Sequence, residues 1–144
     1  MRKETLFAKE NLIKNGYTCV LCRGEENYNS TLRGVKPLID FLESGRDFCG
    51  FFAADKTVGA GAAHLYALLG ITELWANVIS EEGKRVLEKN GITVFYEKLV
   101  PYIINRAGDG VCPIETAVRG ISDSNEALLA IKSALKKLQS RVEE

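Results

Sequence analysis

Residues 46–80 constrain the fold of this chain more than any other stretch. An apolar run (48–54) leads into the corner Asp55-Lys56-Thr57. A small-residue segment, Val58-Gly59-Ala60-Gly61-Ala62-Ala63, follows, and then a second apolar run (71–79). Two runs too apolar to face water, joined by a segment of helical length, predict a β-α-β unit with both strands buried. Its helix, residues 58–69, has a first turn small enough to lie against a sheet or a ligand. Gly59-Ala60-Gly61 is only the front of a dinucleotide fingerprint, because His64 stands where the third glycine or alanine belongs.

The rest of the chain extends this unit in both directions. Residues 4–14 carry Leu6, Phe7, Leu12 and Ile13 among charges, a short covering helix stopped near Asn15-Gly16. Residues 17–23 and 28–31 flank the turn formers Gly24-Glu25-Glu26-Asn27 and predict a hairpin. Pro37 near a first turn, with Val35, Leu38, Ile39 and Leu42 on one face, predicts a helix over 34–45. Ser80-Glu81-Glu82 reads as a capped helix start running to Asn90-Gly91, and residues 92–96 as a third strand. Residues 98–106 suit a helix begun or interrupted at Pro101, 107–110 a flexible turn, and 122–142 an amphipathic terminal helix. The alternation predicts one α/β domain over residues 1–144 with a mixed, mostly parallel sheet.

Composition narrows the function classes. Nineteen basic and nineteen acidic residues cancel, so no global field favours nucleic acid or an anionic membrane surface. No run approaches the ~20 apolar residues of a membrane span, and the charged start Met1-Arg2-Lys3-Glu4 does not read as a signal peptide. The expected setting is cytoplasmic, with reduced thiols. Cys19 and Cys22 would lie on opposite faces of a strand, so their CxxC spacing predicts buried packing residues rather than zinc ligands. Cys49 is expected to pack inertly in the strand at 48–54. His64, the only histidine, has no nearby nucleophile or ligand set and reads as a partly exposed or hydrogen-bonded side chain.

Two stretches carry candidate chemistry. The Asp55-Lys56-Thr57 corner is expected to cap the helix at Gly59 and Gly61, whose free amides and dipole face the strand ends. The second is Val111-Cys112-Pro113-Ile114-Glu115. With Pro113 at the first helical position, Cys112 falls at the N-cap, where a thiolate is favoured. The expected site is one concave pocket at the strand ends, with Cys112 as the candidate catalytic thiol and Asp55, Lys56, Gly59, Gly61, Asn105 and Glu115 as ligand-binding residues. Two functions follow: a small-molecule or nucleotide-like binding domain, or a thiol enzyme or sulfur/acyl carrier using Cys112. A small molecule is the expected partner. No metal is expected, no cofactor is specified, and homo-oligomer formation is left open.

The motifs Gly34-Val35-Lys36-Pro37-Leu38, Ala54-Asp55-Lys56-Thr57-Val58-Gly59, Val100-Pro101-Tyr102-Ile103-Ile104-Asn105-Arg106 and Cys112-Pro113-Ile114-Glu115 resemble an uncharacterised prokaryotic domain family of unknown function. Its members are similar in fold to cytidine deaminases. The resemblance covers nearly the whole chain and implies a three-layer α/β/α, cytidine-deaminase-like fold. It does not imply zinc deamination. That chemistry needs H-x-E and P-C-x-x-C, whereas His64 is followed by Leu65 and Tyr66, and Cys112 precedes Pro113 with no cysteine three residues on. The resemblance also leads one to expect a basic residue after the first glycine of the small-residue helix, where this chain has Ala60.

Overall fold

Several chain reversals fall on a glycine at positive φ, among them Gly16, Gly24, Gly70 and Gly91. The first helix, α1 (Lys3–Asn15), ends at Gly16 in the left-handed region. Two strands, β1 (Cys19–Arg23) and β2 (Glu26–Ser30), form the expected hairpin, and α2 (Lys36–Glu43) begins with Pro37 in its first turn. Then come β3 (Phe52–Val58), α3 (Ala60–Leu69), β4 (Glu73–Ser80), α4 (Glu81–Lys89) and β5 (Thr93–Val100). The short α5 (Pro113–Ala117) and the long α6 (Ser124–Glu143) complete the chain. These elements come from a computed structural model that describes residues 1–105 and 108–143.

The sheet has five strands in the order β2-β1-β3-β4-β5. The first two lie antiparallel to their neighbours, while β3, β4 and β5 run parallel, so the sheet is mixed. Helices cover both faces. On one, Ala8 and Leu12 of α1 pack on Val20, Cys22, Phe52, Ala54 and Trp75. On the other, a larger core joins Leu38, Leu65, Leu87, Ile114 and Ile131 to Leu21, Ala53, Leu74 and Ile79. Cys19 belongs to this second core and Cys22 to the first, as alternation along a strand requires.

Two element assignments from the sequence need correction. The strand expected at 48–54 begins four residues later and runs straight through Asp55-Lys56-Thr57. Phe48 to Phe51 is instead a turn closed by Phe51 N–H to Phe48 O (3.0 Å), with Gly50 at φ 84°. Its apolar character serves a cluster of edge-to-face rings, with Phe48 5.1 Å from Phe51 and 5.3 Å from both Tyr28 and Phe41. Cys49 is therefore exposed on that turn rather than packed in a central strand. The polar corner tolerates extension because Asp55 is paired on the core side while Lys56 and Thr57 stand exposed at the strand's end.

The second correction concerns residues 98–106. Lys98, Leu99 and Val100 continue β5, and Pro101 and Tyr102 bend the chain. Ile104 then forms an antiparallel bridge with Val111. Arg106 and Ala107, part of the expected helix and turn, lie outside the described residues. Among the described residues, no helix is long and apolar enough to cross a membrane.

Candidate functional site

Helix α3 begins without a side-chain cap. Gly59 is the N-cap, in an extended conformation, and the expected capping by Asp55 or Thr57 does not occur because both residues belong to β3. The first intrahelical bond runs from Ala63 N–H to Gly59 O (3.0 Å). The amides of Ala60, Gly61 and Ala62 thus have no partner within the helix.

The first turn of α5 meets this helix start. A Cβ on Gly61 would fall 2.6 Å from Ile114 Cγ2, so the close approach that requires glycine there is to α5, not to the sheet. A Cβ on Gly59 would meet Ile103 Cγ1 at 3.1 Å and Glu115 Oε1 at 3.5 Å. Glu115 is buried (9% exposed). Its Oε2 accepts the Ile103 N–H at 2.6 Å, while Oε1 is shut away from solvent with no hydrogen-bond partner. Gly59, Gly61 and Glu115 are thus brought together.

The other expected site residues stand elsewhere. Asp55 Oδ1 accepts the Thr57 N–H (3.1 Å), and Oδ2 accepts the Tyr66 hydroxyl (2.5 Å). The Cys19 thiol lies 3.3 Å from that same hydroxyl, which makes a buried chain of three titratable groups. Burial pushes the Asp55 pKa up to about 7, although Tyr66 and the Thr57 and Lys56 amides oppose the shift. Burial and the neighbouring Asp55 raise both Tyr66 and Cys19, holding the phenol and thiol protonated. The sequence gives no hint of Tyr66, because its partner is eleven residues away across the β3–α3 junction. Lys56 is exposed on β3, and Asn105 closes its own loop by donating to Asp109 Oδ1 (2.9 Å). His64 is buried on α3, with Nδ1 3.0 Å from Ser124 Oγ, and burial lowers its pKa.

Cys112 is the N-cap of α5, as its spacing before Pro113 predicts, but that helix has only five residues and the thiol makes no capping bond. It is half-buried, its N–H donating to Ile103 O at 2.8 Å. Native alkylation followed by peptide mass spectrometry should therefore modify exposed Cys49 first and Cys112 more slowly. Cys19 and Cys22 should react only after unfolding, since both are buried and burial raises Cys22 to about 11. A Cys112 that outran Cys49 would instead favour thiol chemistry.

Among the described residues, no three His, Cys, Asp or Glu side chains are grouped to hold a metal. Two surface concavities lie away from the α3–α5 corner. One is lined by Glu81, Lys84, Arg85, Glu88, Lys89 and Leu99, and the other, of about 260 Å³, separates α2 and α3 from α6.

Residues 7–135 match the family model described as TM1506, a domain of unknown function (DUF1893). A crystal structure of a DUF1893 family protein, TM1506 from Thermotoga maritima, superposes with a TM-score of 0.82 at 24% identity, covering 95% of this chain and 92% of that one. No curated protein matches the chain.

Proposed function

This chain belongs to the DUF1893 family, and from that premise we propose that it is a cytoplasmic small-molecule-binding domain whose site is the start of α3 faced by Glu115. The fold reading that goes with it is a three-layer, cytidine-deaminase-like sandwich without zinc deaminase chemistry, supported by the helices on both faces of a mixed sheet. One observation carries the binding reading: the buried Oε1 of Glu115 has no partner. A buried acceptor left unpaired costs about 1–3 kcal/mol, more for a charged group, and native proteins rarely leave one so without a reason. A molecule that donates to Oε1 while accepting from the α3 amides removes that cost. The Asp55 chain is less suited, because Tyr66 and Thr57 already engage both carboxylate oxygens.

Native mass spectrometry of the protein as purified tests the proposal. The expected result is a noncovalent adduct that Glu115→Ala no longer retains. No adduct, or one indifferent to that substitution, would sink the reading.

A further inference from the structure

The two edges of the sheet, β2 and β5, are built differently. β2 carries Glu26, Asn27, Tyr28, Asn29 and Ser30, a short polar strand of the kind that resists edge-to-edge pairing. β5 has eight residues, of which Val94, Phe95, Tyr96, Leu99 and Val100 are apolar. Tyr96 and Leu99 are exposed, and so are Tyr102 and Ile104 just beyond the bend. Among the described residues, no strand pairs with the outer side of β5. A long apolar edge with open backbone groups is a template for a further strand.

Backbone direction and symmetry restrict what that strand can be. Thr93 N–H donates to Thr72 O on the β4 side (3.3 Å), so the odd-numbered residues of β5 bond inward, and the amides and carbonyls of Val94, Tyr96, Lys98 and Val100 point outward. If the added strand is a second copy of β5, a two-fold axis normal to the sheet must pass beside a residue, because only then do facing side chains share a face. Of the centres near the middle of the strand, Lys98 would set lysine against lysine. Tyr96 would set Phe95 against Glu97 and Val94 against Lys98. Glu97 sets Phe95 against Leu99, Val94 against Val100 and Tyr96 against Lys98, so that apolar meets apolar and a cation meets a ring. The one like pair, Glu97 with its copy, has a cation at hand in each chain, since Lys9 Nζ lies 3.2 Å from Glu97 Oε1. The concavity lined by α4 and Leu99 carries charges of both signs, so opposite charges can also face each other across the axis. We infer that β5 is the contact of a two-fold homodimer, paired antiparallel with its own copy about Glu97, which continues the sheet through both chains. The polar β2 edge leaves the assembly closed at two chains.

Sedimentation equilibrium of the full chain over a range of concentrations tests this, with folding of each variant checked by circular dichroism. Wild type should dimerise reversibly. Tyr96→Lys puts a lysine opposite Lys98 in each of the two symmetric pairs and should weaken the dimer roughly tenfold or more. Adding Lys98→Glu turns both contacts into ion pairs and should restore it. No other of the three centres allows that rescue, since an axis at residue 96 or 98 of the double variant sets like charges face to face. Asn29→Lys, on the β2 edge, should leave the dimer unchanged. A wild type that stays monomeric at the highest concentration reached would overturn the inference. So would a dimer indifferent to Tyr96→Lys, one broken by Asn29→Lys, or a loss that Lys98→Glu does not repair.

Discussion

Replacing Asp55 with asparagine should flatten much of the protein's stability profile between pH 5 and pH 8. The Asp55 carboxyl is buried and its pKa is raised to about 7, from an ordinary value of 3.8. A group raised on folding holds its proton more tightly in the native state. Its contribution is therefore complete below the unfolded value, declines as pH rises through the window from about 4 to 7, and is gone above the folded value. For this shift the wild type should lose about 2–3 kcal/mol between pH 5 and pH 8 from Asp55 alone. His64 works in the opposite sense. Its folded pKa is lowered, so its contribution is present above the unfolded value of 6.5 and is lost as pH falls. The informative quantity is thus the difference between wild type and Asp55→Asn in urea midpoints at each pH, which cancels the His64 contribution. A difference that does not change with pH would show that Asp55 is ionised in the fold throughout.

The same residue marks where the sequence stopped being legible. Alternating apolar runs and small-residue stops identify the β3-α3-β4 unit, because burial on both faces leaves a signal along a central strand, and the Asn90-Gly91 stop marks the start of the mostly exposed edge strand β5. Strand register leaves no such signal when the run is uniformly apolar. Phe48 and Phe51 look like strand residues, yet they fill the core from a turn, since aromatic packing needs only that rings converge. Asp55, Lys56 and Thr57 look like a corner, yet they extend β3, because one distant phenol, Tyr66, makes burial of the carboxyl tolerable. The candidate site was legible in part. Glu115 and the two glycines were expected in one pocket with Asp55, Lys56 and Asn105, but only the first three meet, because which of them converge depends on how α5 docks on α3. Ile103, which anchors the Glu115 carboxylate, offers no polar side chain to be noticed.

Gly83→Ala should be among the most destabilising single-methyl changes in this chain, because the added carbon has no room and its neighbours cannot rotate away. A Cβ there would lie 2.9 Å from Val58 O and 3.1 Å from both Gly59 C and Gly59 O, all backbone atoms. Gly83 sits in the first turn of α4, where its N–H is held by Ser80 Oγ at 3.0 Å, so the turn cannot tilt without breaking its cap. Alanine is the better helix former by about 1 kcal/mol, which favours the variant. Overpacking against fixed backbone costs about 1–3 kcal/mol or more, with a lost cap adding about 1, and these terms outweigh propensity. The expected result is a net loss of roughly 2 kcal/mol in urea unfolding; a variant as stable as wild type would show that α4 does not abut the β3–α3 junction. The change should also be felt at the candidate site. Gly59 is pressed by Gly83 through its carbonyl and by Ile103 and Glu115 beside its Cα, so a shift of α4 reaches the first turn of α3 directly. Gly83→Ala should therefore weaken the adduct retained in native mass spectrometry although Gly83 offers no group to a ligand, whereas Lys56→Ala, altering an exposed residue of β3, should leave it unchanged.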